Sequence, residues 1–228
     1  MKYEILLFDA DNTILDFDKA EEYALKKAFA ENNLPFNQTV LEVYRKNNIR
    51  EWQRYERGEI TRDEVLLNRF LSTFDELKMS ANAQALGDLY EKELHLGFYK
   101  VPYAEEVLAT LNTQGYRLYI VSNGVLSIQN SRMRGSGLDK YFIKRFISQE
   151  IGYPKPNVEF FRRSFLQIDN FDQHKTLIIG DSLTGDIQGG INAQIDTCWF
   201  NPHKVVNTTG IIPTYEIDDL RLLLDIVR

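Results

Sequence analysis

The sequence predicts an α/β protein: a Rossmann-like, doubly wound parallel sheet that carries an inserted all-helical domain. Three observations predict it. A short apolar run, Glu4 to Phe8 (EILLF), opens the chain and stops at Asp9, as a buried strand does. From Lys19 to about Leu96 the apolar residues recur at helical spacing, and no convincing strand interrupts them. After Pro102, strand-like and helix-like segments alternate to the C-terminus, the pattern of a parallel sheet covered on both faces.

Within the helical stretch the apolar stripes are Tyr23, Leu25, Ala28 and Phe29; Leu41, Val43, Tyr44 and Ile49; Val65, Leu66, Phe70 and Leu71; and Leu86, Leu89, Tyr90 and Leu94. Thr61 followed by Glu64 reads as a capping box opening the third helix. In the alternating half, a helix is expected from about Tyr103 to Thr113, ending before Gly115. A strand at Arg117 to Val121 and a helix at about Leu126 to Met133 follow. A short strand near Phe146 leads to a loop holding Lys155 between Pro154 and Pro156, then a helix from about Val158 to Leu166. The strand Thr176 to Ile179 runs into Gly180 and Asp181. A helix at about Ile187 to Ala193, a strand at Thr197 to Phe200 and a helix after Asp218 complete the chain.

A chain of 228 residues suffices for one core domain with a smaller insertion. The expected division is a core of 1–16 and 98–228 with a helical cap of 17–97. A formal net charge of -6 gives no overall field to attract a nucleic-acid polymer. The lone cysteine, Cys198, excludes an internal disulfide; on an apolar run before Trp199 it reads as a buried small hydrophobe. No apolar stretch approaches a membrane span, and Met1 to Phe8 is followed at once by acids rather than a cleavage site, so a cytoplasmic protein is expected. His95, His174 and His203 follow no ligand spacing.

Ligands of such sheets bind beyond the carboxyl ends of the strands. There the sequence puts Asp9-Ala10-Asp11-Asn12-Thr13, then Ser122-Asn123-Gly124, then Lys155, then Gly180-Asp181-Ser182 through Asp186. Taken singly, each is ordinary: an Asp after a strand is a turn residue or a helix cap, and a lysine between prolines is a solvated loop. Together, four acids, a hydroxyl and a lysine at successive strand ends point to phosphoryl chemistry. A dianionic phosphate monoester repels a carboxylate nucleophile unless a hard cation such as Mg2+, bound by carboxylates and water, cancels the charge. Asp9 and Asp181 suit that ion, and Asp9 suits the nucleophile. Asp11, two residues on, suits an acid/base for the leaving oxygen and then for water. Ser122, Lys155 and the backbone amides of Asn123 and Gly124 suit a cradle for phosphoryl oxygens, with Lys155 pairing to Asp9 when no substrate is present.

These four segments in this order resemble the motifs of the haloacid dehalogenase-like (HAD) hydrolase superfamily, and the resemblance runs the length of the chain. It implies Asp9 as nucleophile, Asp11 as acid/base, Ser122 and Lys155 on phosphate, and magnesium on Asp9, Asp181 and the Asp11 carbonyl, with Asp186 as an outer-shell carboxylate. Asp11 decides against dehalogenation, because dehalogenases of the superfamily lack that acid/base. Leu15-Asp16-Phe17-Asp18 and the run from Gly185 to Trp199 are similar to the branch containing bacterial pyrimidine 5'-nucleotidases. Asn12 departs from that pattern, which often has an acid there.

The expected function is therefore a Mg2+-dependent phosphomonoesterase working through an aspartyl phosphate, acting on a nucleoside 5'-monophosphate, as monomer or homodimer. Rival readings are a sugar-phosphate or phosphoglycolate phosphatase, a phosphomutase, and a receiver-like phospho-Asp signalling module; the helical insertion and the placing of Asp9 on the first strand weigh against the last. Candidate substrate-selecting residues are Asp16, Phe17, Trp52, Tyr55 and Arg62, with Arg57 and Asp18 nearby in sequence; for Trp52 and Tyr55 the plainer reading is cap core.

Overall fold

The computed structural model describes residues 2–228. In chain order its elements are β1 (Ile5–Phe8), α1 (Phe17–Glu31), α2 (Gln38–Glu56), α3 (Arg62–Leu77), α4 (Ala83–Leu94), α5 (Ala104–Thr113), β2 (Arg117–Ser122), α6 (Leu126–Ser136), β3 (Lys144–Ile147), α7 (Ser148–Ile151), α8 (Val158–Phe165), β4 (Thr176–Gly180), α9 (Gln188–Asn192), β5 (Asp196–Phe200), β6 (Tyr215–Ile217) and α10 (Leu223–Ile226). The chain divides into two compact units, one of Met1–Asp16 and Phe98–Arg228, the other of Phe17–Gly97.

The first unit is built on a six-stranded parallel sheet in the order β3-β2-β1-β4-β5-β6. Strand β1 lies between β2 and β4, where the winding reverses direction and a crevice opens at the carboxyl ends. All four residues of β1 are fully buried, because each face of the sheet has its own core. Leu6 and Phe8 join Leu118, Ile120, Leu177 and Ile179 on the side covered by α5, α6 and α10. Ile5 and Leu7 join Tyr119, Val121 and Ile178 on the side covered by α8. Each such side chain contributes ~1.5–3 kcal/mol of burial, so the strand that ends in Asp9 is firmly held. Cys198 is buried in the first of these cores, and burial pushes its thiol up to about 12, far from a reactive thiolate.

Two elements differ from the sequence expectation. Strand β6 has only three residues, half-buried, exposed and buried in turn, too few to leave a period in the sequence. The segment expected as a helix from Ile187 begins earlier, as a wide π-type turn over Leu183–Ile187 that runs into α9.

The second unit is all helical, α1 to α4. The capping box is present: Glu64 N donates to Thr61 Oγ1 at 3.3 Å and Thr61 N donates to Glu64 Oε2 at 2.7 Å. Its inner faces are less apolar than the stripes suggested, and Tyr23, Ile49 and Leu71 are exposed. Along α2 the buried positions are Val40, Leu41, Tyr44, Asn47, Asn48 and Glu51, a regular helical face that continues through polar residues where the apolar ones stop. Glu21 on α1 meets this face, accepting from Arg45 Nε at 2.9 Å and Asn48 Nδ2 at 3.1 Å. Burial pushes the Glu21 carboxyl up to about 7 in spite of Arg45. Among the described residues no helix is long and apolar enough to cross a membrane.

Candidate active site

The carboxyl ends of β1, β2 and β4 present their terminal residues to the crevice side by side. Asp9 follows β1 directly, and its amide continues the ladder by donating to Ile179 O at 2.8 Å. The chain then turns sharply: Asn12 N donates to Leu15 O at 2.7 Å, and the amides of Ile14 and Leu15 both return to Ala10 O. Asn12 sits at the centre of this turn with φ of 55°. Asparagine, like aspartate, enters that left-handed region more readily than most side chains, so the turn accommodates Asn12.

Lys155 is the hub. It is 3% exposed, and its ammonium donates to Asp9 Oδ1 at 2.6 Å, Asp186 Oδ1 at 2.6 Å and Val121 O at 2.8 Å, using all three of its protons. Its loop is pinned to the end of β2 by the Asn123 side chain, whose Oδ1 accepts from Lys155 N at 2.8 Å and whose Nδ2 donates to Lys155 O at 2.9 Å. The expected pairing of Lys155 with Asp9 is thus present.

Asp186 is 1% exposed and is brought in by the π-type turn, its Oδ2 accepting from Ser182 N at 3.1 Å. It lies against the end of β4, and only glycine allows that approach: a Cβ on Gly180 would stand 2.2 Å from Asp186 Cγ. Asp181 is half-buried, with its carbonyl fixed by Trp199 Nε1 at 2.8 Å. One oxygen each from Asp9, Asp181 and Asp186 fall within 4.8 Å of one another.

The electrostatics follow from crowding. Burial pushes the Asp9 carboxyl up to about 8, with Lys155 pulling against it and Asp186 and Asp11 adding to it. Burial, then the carboxylates of Asp9 and Asp186, push Asp181 well above its ordinary value. Against the pull of burial, Asp186 and Asp9 hold the Lys155 ammonium above its usual range. Formally, four carboxylates (Asp9, Asp11, Asp181 and Asp186) face two cations, Lys155 and Arg132, an excess of two negative charges. That is the charge of one divalent cation, and an all-oxygen donor set of carboxylates suits a hard ion such as Mg2+.

Ser122, the last residue of β2, is 1% exposed and its Oγ accepts from Gly124 N at 3.0 Å and Gln129 Nε2 at 2.9 Å. The Gly124 amide, expected to be open to a phosphoryl oxygen, is engaged here by the serine instead. Asp11, beyond Asp9, does not project freely: it is bonded to Gln129 and ion-paired with Arg132, both on α6. Sequence reasoning missed these two residues. Their signal was a pair of polar side chains three apart on the helix that follows Ser122-Asn123-Gly124, on the face that also buries Met133.

The residues expected to select substrate are placed in less defined surroundings. The Asp16 amide donates to Tyr99 O at 3.0 Å, and Phe17 opens α1. Trp52 and Tyr55 are half-buried on α2, edge to face with ring centroids 5.8 Å apart. Arg62 begins α3, its Nη2 3.5 Å from Asp63. His174 and His203 are exposed and His95 half-buried.

A family model described as haloacid dehalogenase-like hydrolase matches residues 6–200. The chain is 42% identical to the HAD-hydrolase YfnB of Bacillus subtilis, over 100% of this chain and 96% of that protein. The crystal structure of YfnB bound to magnesium superposes with a TM-score of 0.94 at 41% identity, covering 100% of both chains. The chain is also 39% identical to the pyrimidine 5'-nucleotidase PynA of Streptococcus pneumoniae, over 99% of this chain and 95% of that protein. To the pyrimidine 5'-nucleotidase YjjG of Escherichia coli it is 30% identical, over 98% and 97%.

Proposed function

Since the chain belongs to the haloacid dehalogenase-like hydrolase family, we propose that it is a Mg2+-dependent phosphomonoesterase acting through an aspartyl phosphate on Asp9. The observation that carries the reading is the grouping of Asp9, Asp181 and Asp186 around the buried Lys155 at the ends of β1 and β4, with Asp11 two residues past Asp9. In this reading Asp9, Asp181 and the Asp11 carbonyl would hold a magnesium ion, with Asp186 as an outer-shell carboxylate, and its charge would offset the repulsion between carboxylate and dianionic ester.

The chain's own groups then divide the work. Asp9 attacks phosphorus as the bond to the ester oxygen breaks, and Asp11 gives that oxygen its proton. Water next attacks the phosphorus of the aspartyl phosphate, returning a proton to Asp11 and freeing Asp9 and inorganic phosphate. Ser122 Oγ already accepts two hydrogen bonds, so its own proton is available to donate to a phosphoryl oxygen. Lys155 bridges Asp9 and Asp186, its charge offsetting their mutual repulsion, and the proton it gives Asp9 becomes free for a phosphoryl oxygen when Asp9 takes the phosphoryl group.

For the substrate we propose a pyrimidine nucleoside 5'-monophosphate, supported by the names of the relatives PynA and YjjG. The helical unit is read as the cap, with Asp16, Phe17, Trp52, Tyr55 and Arg62 as candidates for contact with the nucleoside. The test is a phosphate-release screen over nucleoside monophosphates, sugar phosphates and phosphoglycolate, with and without Mg2+, alongside Asp9→Asn. Activity should need Mg2+, favour dUMP, dTMP or UMP, and vanish in the variant. Steady-state turnover by Asp9→Asn refutes the nucleophile; a preference for a sugar phosphate refutes the substrate.

A further inference from the structure

We propose that Gln129 and Arg132 are positioning residues that lock the Asp11 carboxylate in register with the Ser122 hydroxyl, so that proton transfer and phosphoryl binding share one rigid frame. The proposal rests on the reading of Asp11 as acid/base and adds two residues that none of the four motifs contains.

Both Asp11 oxygens are gripped from the same helix. Oδ1 takes the Arg132 guanidinium and Oδ2 accepts from Gln129 Nε2 at 2.5 Å. Gln129 Nε2 also donates to Ser122 Oγ at 2.9 Å, so one amide nitrogen spans the acid/base and the serine. Arg132 Nη1 lies 3.5 Å from Gln129 Oε1, which closes the network. The orientation of the Gln129 amide is set by its partners: turned over, its oxygen would face the Asp11 carboxylate.

These two side chains are not surface groups folded inward by chance. Arg132 is fully buried and Gln129 is 1% exposed, whereas the Asp11 side chain retains 28% of its exposure. A buried guanidinium is retained at a cost in desolvation that needs a specific partner to offset it, and Asp11 is that partner. The backbone has made room as well. A Cβ on Gly124 would stand 2.4 Å from Gln129 Nε2 and 2.9 Å from its Cδ, so Gly124 is what lets the glutamine fold back to reach Ser122 and Asp11. Without the grip, a half-exposed aspartate on a turn would rotate about two bonds. A misplacement of about 1 Å at a reacting group can cost about 10²-fold in rate.

Rapid-quench kinetics with p-nitrophenyl phosphate and Mg2+ test this on the full chain, comparing wild type with Gln129→Glu, Gln129→Met, Arg132→Lys and Asp11→Asn. Nitrophenolate leaves without needing a proton, so loss of a positioned Asp11 slows chiefly the attack of water on the aspartyl phosphate. Gln129→Glu and Gln129→Met should give a burst approaching one equivalent of nitrophenolate per chain, then a steady state ~10²-fold slower, with kcat and KM falling together. Arg132→Lys, which keeps the charge but loses the fork, should turn over at a rate between wild type and the Gln129 variants. A merely structural role lowers turnover with no burst. That result, or wild-type turnover in both Gln129 variants while Asp11→Asn shows the burst, overturns the positioning role alone. If Asp11→Asn itself neither bursts nor slows, the acid/base reading fails instead. Gln129→Glu keeps the shape but sets a second carboxyl against Asp11, so Gln129→Met serves as the uncharged control, and circular dichroism of each variant checks that it folds.

Discussion

Replacing Lys155 by methionine tests the charge architecture of the crevice more directly than any activity assay. The ammonium is 3% exposed and stands 2.6 Å from both Asp9 and Asp186, which are themselves 7% and 1% exposed. Methionine preserves most of the volume and removes the charge, leaving Asp9 and Asp186 buried side by side with no cation between them. Taking one partner from a buried ion pair costs ~3–5 kcal/mol, because the remaining charge has neither water nor counter-ion. For a chain of this size 1 kcal/mol corresponds to about 2–4 °C in melting temperature, so a fall of roughly 10 °C is expected. Thermal unfolding followed by circular dichroism in EDTA measures it. Repeating the melt in millimolar MgCl2 should raise the variant more than wild type, since an ion bound only by the folded chain then supplies the missing positive charge. A variant that melts within about 2 °C of wild type in EDTA would refute the reasoning, because Asp9 and Asp186 would then not depend on Lys155 for their burial.

Two other outcomes are expected. Burial lifts the Glu21 carboxyl from 4.5 to about 7, against Arg45 and with Asp18 adding to the rise and Arg69 opposing it. Between those values the folded chain holds a proton that the unfolded chain has released, so this group's stabilisation is present at low pH and lost as pH climbs through 7, with ~3 kcal/mol as its upper bound. Urea midpoints at pH 5 and pH 8 should converge in Glu21→Gln relative to wild type; a difference between the two proteins that is the same at both pH values contradicts it. Gly180→Ala should displace Asp186, because the new methyl would lie 2.2 Å from its Cγ. A drop in kcat of at least about tenfold and a loss of ~1–3 kcal/mol in stability are expected, and unchanged kcat would show that Asp186 can move without consequence.

What the sequence made legible was whatever lay in short uninterrupted signals. EILLF names a strand buried on both faces, Asp9, Ser122 and Asp181 announce themselves by closing or following such runs, and Lys155 stands out only by its place between Pro154 and Pro156 in the loop after the third strand. What stayed hidden depended on tertiary neighbours. The inner face of α2 carries Asn47, Asn48 and Glu51 where apolar counting stops, because polar partners meet them there: Thr73 and Glu76 for Asn47, Glu21 for Asn48, and Arg54 for Glu51. Arg132 on a helix reads as solvated until the fold places Asp11 beside it. The engagement of the Gly124 amide by Ser122 Oγ is a matter of a side-chain rotamer, which no residue pattern encodes.

The hydrogen bond from the Asp16 amide to Tyr99 O means that the chain leaves the sheet unit and re-enters it through adjacent doorposts. Val101 N to Ile14 O repeats the stitch one step further in. The whole of 17–97 therefore hangs from a closed hinge-point whose ends are already joined, and lengthening, shortening or recasting it changes no strand's partner. A change confined to the inserted helices therefore leaves the backbone ladder that sets the carboxylate-bearing strand ends untouched.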